Sequence, residues 1–157
     1  MKIKDLKSAM AASISDVLET MFYMPLEFED TGEPDKRGFF DIPDLRVCEL
    51  EFNGSISGRL ILMIPESLLV SMAVDFMAED KSTIKRVHTD GIIKEVANMV
   101  AGHMLSHMDD KRDFHLGIPR ITENNEIIET FKKNPPECHV LAESINGLFL
   151  TIMALND

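Results

Sequence analysis

Apolar positions open the chain at Ile3, Leu6, Met10, Ile14, Val17, Leu18 and Met21. That spacing is close to the ~3.6-residue period of a helix, so residues 3–24 are predicted helical. Pro25 is the expected stop, because proline disfavours the α conformation in the residue before it. Leu26, Glu27 and Phe28 read as a short extended piece, and the polar stretch from Asp30 to Arg37 as a loop. Arg46 to Phe52 alternates in the manner of a strand, and Arg59 to Ile64 reads as its return. Asn53-Gly54 is the hairpin signal between them, with Ser57-Gly58 as a competing turn. Pro65-Glu66-Ser67 opens a second helix carrying Leu68, Leu69, Met72, Ala73, Phe76 and Met77. After a polar connection from Lys81 to His88, Thr89 or Asp90 is the predicted N-cap of a third helix running to about Met108. Its apolar set is Ile93, Val96, Ala97, Val100, Met104 and Met108. Phe114 to Pro119 reads as a short edge strand, where proline is tolerated. Glu123, Asn124, Asn125 and Glu126 read as a turn. Cys138–Glu143 and Leu148–Leu155 form a final hairpin around Asn146-Gly147.

The order is helix, short strand, hairpin, helix, then helix, short strand, hairpin. This is a weak internal repeat with halves at about residues 1–80 and 81–157, in which Glu19 and Glu95 take corresponding places. Neither half can bury a sheet face alone. The expected fold class is α+β: one domain over residues 1–157, an antiparallel sheet with the long helices packed on it and pseudo-duplicated helix–strand–hairpin halves.

Charge narrows the partners. Acidic residues number 27 against 16 basic, a net charge of -11, which repels phosphate backbones and anionic membranes. Nucleic acid and membrane insertion are therefore not expected, and a protein partner with basic surface is. No N-terminal apolar run marks a signal peptide, and the longest apolar runs are too short to span a bilayer, so a cytoplasmic location is expected. The two cysteines, Cys48 and Cys138, are expected as buried free thiols. Acidic Glu27, Glu29, Asp30, Glu33 and Asp35 read as a solvated loop. Methionine is abundant, at 11, which suits either an adaptable core or a binding face.

The candidate chemistry sits on the third helix. Helical geometry puts Glu95 and Asn98 side by side, away from the core-facing Ile93, Ala97, Val100 and Met104. Gly91 and Gly102 flank the pair one turn before and one turn after. Each glycine inside a helix costs about 1 kcal/mol against alanine, so two on one face need a reason. Clearance supplies it: another macromolecule can approach the backbone and still meet two polar side chains. An E-x-x-N pair alone is degenerate, and Glu143-Ser144-Ile145-Asn146 repeats the spacing at a turn.

The wider context is more specific. Glu95-Val96-Ala97-Asn98-Met99-Val100-Ala101-Gly102, followed by Phe114-His115-Leu116-Gly117-Ile118-Pro119, resembles the CheC/CheX/FliY phosphatase family, and its CheX branch in particular. The hairpin from Glu51 to Leu60 and the final one from Val140 to Leu155 fit the same resemblance. It implies a phosphatase acting on the aspartyl phosphate of a response-regulator receiver domain of CheY type, in chemotaxis or another two-component circuit. By the same resemblance, Glu95 pairs with the receiver's lysine, Asn98 orients the attacking water, and Gly91, Met99 and Gly102 lie in the contact face. The Mg2+ is expected on the partner receiver, so the chain needs no metal or cofactor of its own. A homodimer formed through a sheet edge is carried over with the resemblance.

The sequence departs from the family pattern in three places. Gly91, with Asp90 beside it, stands where an Asp or Ser is usual four residues before the Glu. Pro119 lies nearer to Asn98 than the pattern suggests, which bears on the loop around Lys111. The first helix keeps Ser15 and Glu19 but has Phe22 where a second Asn would stand, so one active site per chain is expected, with Phe22 in the core. The rival from another class is a non-catalytic module that binds a receiver or a motor-switch protein. A metalloenzyme is a distant third. His103 and His107 have ligand spacing, but Met104 stands where a zincin's base belongs and Asp110 is only a guessed third ligand, so packed or solvated histidines are expected.

Overall fold

The computed structural model describes residues 3–28, 33–108, 114–123, 125–136 and 138–156. Glu29, Asp30, Thr31 and Gly32, the loop at Lys111 with Asp110, and Asn124 lie outside the described residues, as do the side chains of Ile3 and Met108.

The first helix, α1, spans Ile3–Phe22. Leu6, Met10, Ile14, Val17 and Leu18 are buried along one side, as their period requires. It ends two residues earlier than the proline rule suggests. Tyr23 turns left-handed at φ 52, its N–H still donating to Glu19 O at 3.1 Å, and the Met24 N–H folds back to Leu18 O at 3.2 Å. Pro25 therefore follows a stop that the backbone has already made.

Among the described residues seven strands form one antiparallel sheet: β1 (Glu27–Phe28), β2 (Leu45–Asn53), β3 (Gly58–Pro65), β4 (His115–Leu116), β5 (Arg120–Thr122), β6 (His139–Ser144) and β7 (Gly147–Leu155). The order is β1-β6-β7-β3-β2-β4, with β5 also paired to β2. The two hairpins, β2–β3 and β6–β7, meet at the centre through β3 and β7. The short strands cross over. β1 of the first half pairs with β6, whereas β4 and β5 of the second half pair with β2. Each half thus closes the other's sheet edge.

The hairpin turns differ in detail from the sequence signals. β2 and β3 pair as far as Phe52↔Gly58, so Asn53–Ser57 forms a longer loop than an Asn-Gly two-residue turn. The glycine that matters is Gly58, where a Cβ would stand 2.4 Å from Ala154 O on β7. In the last hairpin Ser144 pairs with Gly147, so Ile145-Asn146 makes the turn and Gly147 takes φ 140. β4 and β5 sit on either side of a bulge. Gly117, Ile118 and Pro119 face only Leu50 and Glu51 between the two registers, and the Gly117 N–H donates to Glu51 O at 2.7 Å.

One sheet face carries Cys48, Leu50, Phe52, Leu60, Leu62, Ile64, Val140, Ala142, Phe149 and Met153 into the main core under the long helices. The other face carries Val47, Ile61, Met63, Leu141, Leu150 and Ile152 into a smaller core. That second core is roofed by Phe39, in the 3-10 turn Phe39–Asp41, and by Phe131 of α4 (Glu126–Lys133). The sequence reading has no helix at α4. There a polar N-terminal run looks like loop, and only Ile127, Ile128 and Phe131 mark an apolar stripe.

Over the main core lie α1, α2 (Glu66–Met77) and α3 (Arg86–Met108). α3 begins before the predicted cap. The Lys85 N–H donates to His88 Nδ1 at 2.9 Å, so a side chain three residues on reaches back to the helix entrance. Thr89 is not a cap: it is buried inside the helix, and its hydroxyl donates to Glu66 Oε1 at 2.8 Å. Both cysteines are buried and unbridged. Among the described residues no helix is long and apolar enough to cross a membrane.

Candidate functional site

α3 is pressed onto the sheet by Ile93, Val96, Ala97, Val100 and Met104, all buried. Its N-terminal end is fixed by charge. Arg46 of β2 is almost wholly buried and its guanidinium is hydrogen-bonded to Asp90, with Glu66 4.0 Å from Nε. Arg86 closes the group, 3.1 Å from both Asp44 and Glu66. A buried arginine needs such partners, because a lone buried charge is costly. Spacing rules do not reveal this ionic cluster. Its one sequence signal is Arg46 itself, a charged residue in step with Cys48, Leu50 and Phe52 on the core-facing alternation of the strand.

The outward face of α3 is the reverse of this. Lys94, Glu95 and Asn98 are exposed, and among the described residues none has a hydrogen bond or ion pair. Gly91 is exposed, with nothing within 4 Å of where a Cβ would stand. Gly102 and Met99 are half-buried, and the nearest atom to a Cβ at Gly102 is Leu116 Cδ1 at 4.0 Å. The five candidate residues therefore share one ridge. Glu95 and Asn98 stand about 4.5 Å apart along the axis, from three residues of helical rise. Among the described residues no loop covers the pair, although β4 borders the ridge at its Gly102 end.

Beside the ridge, on the Glu95 side, an apolar trough of ≈ 440 Å³ opens between the helices. Met21, Phe22, Phe76, Val87, Glu95 and Met99 line it. Phe22 is buried, at 4% exposure, and its ring leans on Phe76 at 5.7 Å between centroids. Phe22 is thus a core residue that also forms a wall. Glu19 is exposed and Ser15 half-buried on α1, so no amide accompanies them at the position of Phe22.

His103 is engaged in tying α3 to α1. Its Nδ1 lies 3.1 Å from Ser13 Oγ and its Nε2 lies 3.3 Å from Asp16 Oδ2. The His107 ring packs edgewise on it at 4.5 Å. Among the described residues no group of His, Cys, Asp and Glu is arranged to hold a metal ion. The thiol of Cys48, under α3, is pushed up to about 12 by burial, with the Lys94 charge pulling weakly the other way.

The family model for the chemotaxis phosphatase CheX matches residues 47–142, a segment holding all of α3 and most of the sheet. The chain belongs to the CheX family. No curated protein matches it closely enough to count as a relative. Solved structures of the same fold include the chemotaxis protein CheX from Vibrio vulnificus, at 14% identity, TM-score 0.74, and 99% coverage of each chain. A CheC-like superfamily protein from Shewanella sp. PV-4 matches at 16% identity and TM-score 0.66 over 100% of both chains. A CheX from Borrelia burgdorferi, solved as a complex with CheY, BeF3 and Mg2+, matches at 14% identity and TM-score 0.65, covering 96% of this chain and 97% of that one. Identities this low establish a shared fold. The CheX match covers the Glu95–Asn98 ridge, and the whole antiparallel α+β architecture agrees with the expectation from the sequence.

Proposed function

We propose that this CheX-family protein hydrolyses the aspartyl phosphate of a CheY-type receiver domain, in chemotaxis or a related two-component circuit of the cytoplasm. The observation that carries the proposal is the ridge: a carboxylate and an amide, both exposed and unpartnered among the described residues, set between two bare glycines on a helix whose other side is locked to the core. Glu95 is the anchor. A carboxylate suits a receiver lysine, through a charge-assisted hydrogen bond. Asn98 is the catalytic residue. Its amide both donates and accepts, so it holds a water in line with phosphorus while adding no negative charge. The water attacks phosphorus, the bond from phosphorus to the aspartyl oxygen breaks, and both water protons leave on the released phosphate. An acyl phosphate is already activated, so positioning the nucleophile supplies most of the needed acceleration. The Mg2+ of this chemistry belongs to the receiver, and no step draws on a metal of this chain. Gly91, Met99 and Gly102 complete the contact face. Two copies of the chain associate through a sheet edge as a homodimer.

The test is the decay of a phosphorylated CheY-type receiver with and without the protein. The wild type accelerates decay. Asn98→Ala lowers the rate by about a hundredfold through loss of the positioned water, and Glu95→Ala acts mainly by weakening binding. A wild type that binds the receiver without changing its decay identifies a docking module instead.

A further inference from the structure

On the flank of the ridge away from the trough stands Lys94, one turn before Asn98, with their Cβ atoms about 6 Å apart. Its natural partner would be Asp90, four residues earlier on the same helix, in the favourable acid-before-base order. That partner is taken: Asp90 is bound by buried Arg46. Three residues to either side of Lys94 lie Gly91 and buried Ala97, neither charged, and Asn98 is neutral. From the sheet below, Cys48 faces Lys94 with a thiol kept protonated by burial. The one arginine of α3, Arg86, is bound to Asp44 and Glu66. Among the described residues Lys94 is therefore the unpaired Lys or Arg of α3, in a chain whose net charge is -11.

We propose that Lys94 contacts a phosphoryl oxygen of the docked acyl phosphate, so that the ridge recognises the phosphorylated form of its partner as well as hydrolysing it. The inference rests on the receiver-docking reading above. An acidic protein repels a phosphoryl dianion, and a single local cation offsets this where it matters. A four-carbon stem carries the ammonium beyond the short amide of Asn98, toward the equatorial oxygens over which charge spreads in a loose transition state. Lysine acts here as a mobile point charge needing no fixed fork. Arg46 serves indirectly: by holding Asp90, it keeps the lysine free for the partner.

The test compares affinity for a CheY-type receiver with and without bound beryllium fluoride, which mimics the phosphoryl group. The wild type prefers the loaded form. Lys94→Gln weakens the loaded complex by about tenfold and leaves the unloaded one unchanged, whereas Lys94→Arg retains the preference. The dephosphorylation rate at low receiver concentration falls in parallel, with a flatter salt dependence. A merely structural lysine would move both affinities or neither, and it would shift the unfolding midpoint, which is expected to stay fixed. Equal behaviour of Lys94→Gln and wild type on the loaded receiver overturns the inference even where Asn98→Ala slows turnover as expected. A wild type with no affinity for either form overturns the docking reading and this inference together.

Discussion

Gly91 offers a test in which stability and function are expected to move in opposite directions. The residue lies in the sixth position of the 23-residue helix α3, exposed, with open space within 4 Å of the point a Cβ would occupy and no positive φ. Nothing in the chain's own packing asks for glycine there. Gly91→Ala should therefore recover the helix penalty of glycine, about 0.8–1 kcal/mol. For a chain of this length that raises the thermal midpoint by about 2–4 °C. Gly102→Ala meets only Leu116 Cδ1 at 4.0 Å, an ordinary contact, and should give a similar gain. The two sites are eleven residues apart, about 16 Å along the axis, so the double variant should gain about 2 kcal/mol. A larger side chain at the same place tells on function. Gly91→Leu stands one turn before Glu95 and holds a docking surface away from Asn98, for a loss of about a hundredfold in receiver dephosphorylation. Thermal unfolding followed by circular dichroism and the decay of a phosphorylated receiver measure the two effects separately. If Gly91→Leu turns over the receiver as fast as wild type, the ridge is not the docking surface. If Gly91→Ala is no more stable than wild type, clearance for a partner was the wrong reason for the glycine.

Three further outcomes are expected. Arg46→Met breaks the cluster with Asp90 and Glu66 and should cost about 3 kcal/mol, the low end for a buried ion pair because both carboxylates keep some solvent contact; urea unfolding measures it. Burial raises the Cys48 thiol from 9.0 to about 12, so the folded state keeps its proton while the unfolded chain loses it, and stability falls as pH rises above 9; between pH 9 and 10.5 the wild type should lose about 1.6 kcal/mol more than Cys48→Val, read from urea midpoints at the two pH values. Phe22→Asn should cost about 3–5 kcal/mol by emptying a core position and should not raise the dephosphorylation rate per chain, since position 22 faces inward, as steady-state turnover will show.

Long periodic elements are legible in the sequence because burial on one side leaves a regular trace. α1, α2, most of α3 and both hairpins follow from spacing alone, and so does the outward direction of Glu95 and Asn98. Short elements leave no such trace. β5 is a three-residue strand after a proline, and α4 hides its stripe behind Glu123, Asn125 and Glu126. The start of α3 lies earlier than local rules place it because Thr89 is a good cap residue by type. Its hydroxyl instead answers Glu66 across the α2–α3 contact, a tertiary demand that no local rule contains. The same holds for Arg46 and for the freedom of Lys94. Sequence spacing pairs Lys94 with Asp90, and only the position of β2 beneath α3 shows that Arg46 has taken that carboxylate.

The two halves of the fold also explain why the proposed chemistry is confined to one helix. Glu19 on α1 and Glu95 on α3 hold corresponding places, and both are exposed. Three residues on, the halves diverge. At Asn98 the helix continues for ten more residues, so the amide stays on a supported outer ridge. At Phe22 the helix ends, and Tyr23 turns the chain left-handed toward β1. A side chain at that last helical position sits where α1 meets α2, a place that favours a ring packed on Phe76 over a solvated amide. The ring then walls the trough that opens beside Glu95. Under the proposed reading the first half has not merely lost a site: the position that would have placed a second water now shapes the apolar ground next to the carboxylate that anchors the receiver.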